Sequence, residues 1–229
     1  MQQKKEKGEL FDAWPDAYDR WFATPIGALV RKYEGEVILD LLRPGPNEWI
    51  LDAGCGTGIF TFDFLSQGAR MIGLDISFPM LVRAGQKIQG YPFAMVQGDM
   101  LHLPFPANSF DKIVSVTALE FIKDAQRSME ELFRVTKKGG WVVVATLNSL
   151  SPWAERRRTE AQKKNTIFTQ AFFRSPDDLR SLAPVEGVIQ TAVHFSKDED
   201  PMRAPEIEER GRKAGLETGA FLAGRWPKP

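Results

Sequence analysis

The chain has 229 residues, enough for one α/β domain with a sizeable core and room for an insertion. Lys plus Arg and Asp plus Glu both total 30, which argues against the one-signed field of a dedicated nucleic-acid or anionic-membrane binder. A single cysteine, Cys55, excludes an internal disulfide and a multi-cysteine cage. The two histidines, His102 and His194, have no ligand set beside them, so no metal is expected.

In chain order, residues 1–9 are charged and lack an apolar signal region, which predicts a solvated tail and a cytoplasmic protein. The longest apolar runs, such as 141–147, are too short to span a bilayer. From 10 to 42 apolar residues recur at helical spacing, and Thr24-Pro25 splits the stretch into two helices, with Thr24 as cap and Pro25 at the first helical position. The run Arg43-Pro44-Gly45-Pro46-Asn47 forces a stop. Strands are then predicted over 49–52, 70–75, 94–97, 112–116 and 141–147, with helices over 59–67, 78–87 and 125–135 and a turn at 138–140. Short apolar strands separated by helices predict a parallel sheet covered on both faces, with ligands bound beyond its carboxyl ends. Segment 151–196 breaks this rhythm with Arg156-Arg157-Arg158, Lys163-Lys164 and the aromatics Phe168, Phe172 and Phe173, before a helix start at Ser175-Pro176-Asp177-Asp178. A strand is expected over 188–195, a helix over 205–214 and a last strand over 219–226.

The most informative run is LDAGCGTG at 51–58, where apolar residues lead into a carboxylate and then three glycines at alternate positions. Glycine there lets backbone approach a ligand closely, and the following helix N-terminus favours an anionic group. A dinucleotide fingerprint competes: Gly54 and Gly56 fit it, but its third glycine position is Ile59. The pattern D-x-G-x-G-x-G resembles the first motif of class I S-adenosylmethionine (SAM)-dependent methyltransferases. For that ligand, Asp52 would take the ammonium, directly or through water, and Asp75 the ribose hydroxyls. Asp99 would take the adenine amine, with Ile76 and Met100 flanking the ring. A lone strand-end Asp is more often a cap or turn residue. Three at nearly equal spacing, each after a short apolar run, favour a common site.

The resemblance extends from about Leu10 to Leu147. GDMLHLPFPANSFDKIVSV (98–116) is similar to the methyltransferase segment G-D-x-x-x-L-P-F-x-x-x-S-F-D, and 117–122 to the strand end facing the cofactor's methionine part. Residues 130–140 are similar to the helix and turn entering the fifth strand. The style is closest to ubiquinone- and menaquinone-biosynthesis methyltransferases. This implies an α/β, Rossmann-like, doubly wound and mostly parallel seven-stranded sheet with an N-terminal helical lid. The implied organisation is a lid over 10–44, a SAM-binding core over 45–150, a substrate-side insertion over 151–200, and a helix and strand completing the sheet over 201–229. The implied cofactor contacts are Asp52, Ala53, Gly54, Gly56, Gly58, Asp75, Ile76, Asp99, Met100 and Thr117. The implied partner is a small-molecule methyl acceptor such as a quinol, phenol or carboxylate; a homodimer is left open.

Base-amine and glutamine methyltransferases resemble one another in an Asn/Asp-Pro-Pro-Tyr tetrad, but Val116-Thr117-Ala118-Leu119 stands at that place, and the only cysteine lies in the glycine loop. The charge balance shows no RNA-binding module. Methyl transfer from a sulfonium needs mainly alignment and desolvation. A base for an oxygen or carbon acceptor could be His102, His194, Tyr18, Tyr33 or Glu120, and the sequence singles out none. The basic cluster at 156–164 reads first as a solvated helix face and otherwise as a lure for an anionic substrate or carrier. The aromatics of 11–22 exceed what one packed face requires, which suggests a lid over the cofactor and an apolar acceptor pocket. Two other functions compete: a SAM-binding scaffold without turnover, and a nicotinamide oxidoreductase.

Overall fold

The computed structural model describes residues 10–164 and 166–229; the tail expected over 1–9 lies outside the described residues. The N-terminal stretch forms α1 (Pro15–Phe22) and α2 (Pro25–Leu42). Thr24 separates them: it is extended, and its hydroxyl accepts the Gly27 N–H at 3.1 Å while Pro25 starts the next helix. Helix α2 ends where Arg43 turns left-handed (φ 46°) before Pro44.

The sheet contains β1 (Trp49–Ala53), β2 (Arg70–Asp75), β3 (Phe93–Gln97), β4 (Phe110–Val116), β5 (Thr136–Leu147), β6 (Val188–Ala192) and β7 (Phe221–Pro227). Their order is β3-β2-β1-β4-β5-β7-β6, and only β7 runs against its neighbours. Helices α3 (Thr61–Leu65), α4 (Phe78–Lys87), α5 (Ala125–Val135), α6 (Pro152–Lys163), α7 (Pro176–Ser181) and α8 (Ala204–Lys213) follow in chain order, with short 3-10 turns at Leu119–Phe121 and Ile167–Gln170. The expected Rossmann-like architecture is therefore present. One core joins α2, α3 and Trp153 of α6 to one sheet face. The other joins α5 and Leu179 of α7 to the opposite face, so central β4 and β5 are buried on both sides. Strand order reverses between β1 and β4, which opens a crevice at their carboxyl ends.

Four local expectations are corrected. The helix expected over 59–67 shrinks to Thr61–Leu65, because Gly58 (φ 72°) is still turning and the Ile59 carbonyl accepts the Arg31 guanidinium (2.8 Å) rather than a helical N–H. The turn expected at 138–140 lies within β5, where backbone bonds to Lys228 on both Gly139 and Gly140 draw it into the ladder. His194 is not a strand residue: β6 stops at Ala192 because Val193 is left-handed (φ 63°). The last helix and strand shift by about one or two residues at their ends.

Candidate active site

Strand β1 delivers Asp52 into the crevice almost fully buried, with Oδ2 accepting the Thr61 hydroxyl at 2.6 Å. Burial pushes its carboxyl up to about 7; the Thr61 bond opposes this and the Asp75 charge adds to it. At the end of β2, Asp75 accepts the Ser77 N–H on Oδ1 (2.9 Å) and the Gly56 N–H on Oδ2 (2.8 Å). Burial raises this carboxyl too, against the pull of those backbone donors. Past β3, Asp99 accepts the Leu101 N–H at 3.0 Å. No cation contacts Asp52 or Asp75 among the described residues.

The glycine loop explains its own composition. Gly54, Gly56 and Gly58 all have positive φ (78°, 52° and 72°), where side chains are strained. A Cβ on Gly54 would come within 2.4 Å of the Ala118 Cβ, and one on Gly58 within 2.7 Å of Ile88 Cδ1. A Cβ on Gly56 would meet nothing within 4 Å, so the space beyond it is open to a ligand.

That space belongs to a cavity of about 420 Å³, inside the range of about 300–1,000 Å³ usual for small-molecule sites. Of the ten predicted contact residues, Asp52, Gly54, Gly56, Asp75, Ile76, Asp99, Met100 and Thr117 line it. Ala53 is buried within the sheet, and Gly58 packs against α4; neither is among the cavity's lining residues. Thr117, just after β4, is left-handed (φ 48°) and donates its N–H to Ala145 O at 2.9 Å. Such a conformation costs a non-glycine residue about 1–2 kcal/mol.

Phe11, Trp14 and Tyr18 roof the cavity, and Phe121, Ile167 and Phe172 close its far side. The roof is clamped at several points. Phe11 meets Phe121 edge to face at 5.0 Å, and Ser77 Oγ donates to Asp12 at 2.7 Å. Asp19 accepts Thr57 Oγ1 (2.8 Å) from the glycine loop, Arg83 Nε (2.9 Å) and Lys87 Nζ from α4. These partners hold its carboxyl below the usual range although burial opposes them. Tyr18 from the roof and Thr117 from the floor both line the cavity.

The five candidate bases separate cleanly. His102 is exposed, and Tyr33 is buried against Phe195. His194 is locked to Glu208 (Nδ1 to Oε2, 3.2 Å). Tyr18 lines the cavity, and Glu120 lies fully buried behind it. The basic cluster also divides. Arg158 is exposed, whereas the Arg157 guanidinium lies over Trp153 (5.2 Å) and Phe168 (5.0 Å), with Nη1 sealed from solvent. The solvated-face reading is therefore wrong for Arg157. The Asp19 clamp was missed as well, although acids at 16 and 19 facing bases at 83 and 87 at helical spacing were a usable signal.

Residues 51–144 match the family described as "Methyltransferase domain". The chain is 33% identical to a demethylmenaquinone methyltransferase of Thermobifida fusca over 64% of its own length and 63% of that protein's, so it spans less than two thirds of that relative. It is 30% identical to a malonyl-[acyl-carrier protein] O-methyltransferase of Pectobacterium atrosepticum over 93% of this chain and 87% of that one. A crystal structure of a SAM-dependent methyltransferase from Thermotoga maritima, titled a possible histamine N-methyltransferase, shares the fold with a TM-score of 0.71 at 22% identity, covering 97% and 100% of the two chains. With crevice geometry, family match and full-length relative in agreement, the chain belongs to the class I SAM-dependent methyltransferases.

Proposed function

We propose that the protein transfers a methyl group from SAM to a small molecule with an apolar body, such as a quinol, a phenol or a carboxylate. One observation carries this reading: carboxylates without cationic partners stand at the ends of adjacent strands around a mostly apolar cavity. SAM supplies an electrophilic methyl on a sulfonium and carries an ammonium and a ribose diol, the groups such carboxylates would receive. In this reading Asp52 takes the ammonium, Asp75 the ribose hydroxyls and Asp99 the adenine amine, while Ile76 and Met100 flank the ring. Thr117 abuts the methionine end, and the open space at Gly56 admits the ligand next to backbone. The remaining cavity, walled by Phe11, Phe121 and Phe172, orients the acceptor and excludes water. Residues 10–44 act as the lid, 45–150 as the cofactor core, 151–200 as the acceptor wall, and 201–229 complete the sheet.

The quinol and carboxylate classes follow the printed names of relatives, several being demethylmenaquinone methyltransferases and others malonyl-[acyl-carrier protein] O-methyltransferases. The test is turnover with methyl-labelled SAM and a panel of reduced naphthoquinols, phenols and acyl-carrier carboxylates. Label entering one class supports the reading and names the acceptor. Tight binding of S-adenosylhomocysteine without transfer to any member would favour a SAM-binding scaffold.

A further inference from the structure

The two edges of the sheet are finished differently. At the β6 edge, Gln190 Nε2 donates to Asp40 at 3.0 Å, the Thr191 hydroxyl donates to Leu216 O at 2.7 Å, and only Val188 of the strand is exposed. At the other edge, β3 pairs with β2 alone among the described residues, and its Ala94, Met95 and Gln97 are exposed. The N–H and C=O groups on its outer side therefore have no strand partner, which leaves room for the sheet to gain a strand. Open edges are usually guarded by a lysine, a proline within the strand or a bulge, and β3 has none of these. Residues 88–98 carry no charged side chain, in a chain whose residues are 26% charged. The neutral surface continues onto α4. Met95 lies against Gly85, where an added Cβ would come within 2.8 Å of the Met95 Cε. Phe78, Val82 and Gly85 follow one another at i, i+4 and i+7 along one face of that helix. Phe78 is 60% exposed, and Val82 and Met95 are each 43% exposed, so helix and strand present one apolar stripe to solvent. The two charges of α4 are drawn away toward α1: Arg83 to Asp16 and Asp19, Lys87 to Asp19.

We infer that β3 and the outer face of α4 form the interface of a homodimer, in which β3 of a second copy pairs antiparallel with β3 and joins the two sheets into one. A two-fold axis perpendicular to the sheet near Met95 sets Met95 beside Met95 of the second copy, Ala94 opposite its Val96 and Phe93 opposite its Gln97. In such self-pairing any charge on the strand would confront a like charge near the axis, and a strand without charges meets no such repulsion. The same neutrality gives an acidic or basic partner nothing to complement, which favours a copy of the same surface as the occupant. Because the axis keeps one face of the sheet common to both copies, the two α4 helices flank the seam on the same side. Phe78 and Val82 of each then close over the paired Met95 side chains, taking the apolar stripe out of water. The cavities lie at the carboxyl ends of the strands, so in the antiparallel pair they open at opposite ends of the joined sheet, each complete within its own chain.

The test is sedimentation of the full chain over a range of concentrations, for the wild type, Met95→Lys, Met95→Glu and Val82→Lys. The wild type is expected at twice the mass of one chain at micromolar concentration. Each variant should sediment as one chain, because it sets like charges across the axis, with its melting curve still cooperative. Mixing Met95→Lys with Met95→Glu should restore the doubled mass, since the facing charges are then opposite, a rescue that a damaged fold would not give. Amide exchange over residues 93–97 should be slow in the wild type and faster in Met95→Lys, which separates strand pairing from contact through side chains alone. If Met95→Lys does not fold, Val82→Lys must by itself halve the mass. The proposal is overturned if the wild type remains a single chain at every concentration, which would give this edge to a different partner. It is equally overturned if the doubled mass survives in both Met95 variants, or if exchange over 93–97 is the same in dimer and monomer.

Discussion

Six carboxylates are buried among the described residues, and they fall into two groups. Glu131 and Glu208 are structural. Glu131 is held by Arg127 and Arg134 and by the Leu103 N–H, and Glu208 by His194 and Arg212. Both carboxyls lie below their usual range: the Arg134 hydrogen bond dominates for Glu131, and for Glu208 the His194 and Arg212 bonds outweigh burial. Asp52, Asp75, Glu34 and Glu120, at or behind the crevice, lie above their usual range, burial being the largest cause for each. The fold can neutralise a buried acid when it needs one for architecture. At the crevice, Asp52 and Asp75 have no cationic side-chain partner among the described residues, which fits the proposed cofactor with its own ammonium.

Several measurements would break or sharpen this division. Glu208→Ala removes one side of a buried ion pair and strands His194 and Arg212, so urea unfolding should show a loss of about 3–5 kcal/mol, with S-adenosylhomocysteine affinity unchanged in the folded fraction. Asp52→Asn should do the reverse. Melting at pH 8 stays the same or rises, because an ionised carboxylate no longer has to be buried, while S-adenosylhomocysteine binding weakens by about 1.5–3 kcal/mol, the worth of a hydrogen bond to a charged group.

The pH responses should differ in sign as well. In the proposed reading the ligand's ammonium binds ionised Asp52, whose carboxyl burial pushes up to about 7; affinity should then fall as pH drops below 7, by up to about tenfold per unit, and Asp52→Asn should remove the dependence. His194 behaves oppositely, in stability. Its Nδ1 faces Glu208 Oε2 and its Nε2 faces Leu216 O at 3.1 Å, two acceptors that favour the doubly protonated ring. Burial pulls its pKa down, but Glu208 and the Leu216 carbonyl hold it above its ordinary value. That stabilisation is complete below about 6.5 and is lost as pH rises through the folded value. The melting temperature should decline between neutral and alkaline pH, and His194→Gln should flatten the decline.

The smallest effect belongs to the roof. Asp19→Asn loosens the contacts to Arg83 and Lys87 at the surface of α4, and chemical unfolding should register about 1 kcal/mol or less, diminishing with salt. Protection of residues 10–35 from protease should fall in that variant and be restored by S-adenosylhomocysteine if those residues are the lid.

What the sequence disclosed follows from how local each feature is. Asp52, Asp75 and Asp99 were legible because each stands at the end of its own strand, and a parallel sheet brings such ends together. Thr24 and Ser175 were legible as helix caps because capping is decided within four residues; both accept the expected N–H. Gly58 was read as part of a ligand cradle, yet its tight neighbours, Ile88 and Ala84, lie one strand and one helix further on. Arg157 was read as solvated because its burial depends on Trp153 beneath it and on Phe168 across the chain, a placement no short window encodes. Glu120 was one base candidate among five, and only its bare, sealed oxygen separates it from the rest.

The central claim, that the crevice carboxylates receive the adenosyl and amino-acid groups of the proposed cofactor, is tested most directly by calorimetric titration with S-adenosylhomocysteine of the wild type and Asp75→Ala, with NADH as control. The account predicts micromolar binding to the wild type, loss of about 2–3 kcal/mol or more in the variant, whose ribose-facing carboxylate is gone, and no heat from NADH. Undiminished binding in Asp75→Ala, preference for NADH, or no binding to folded protein would contradict it.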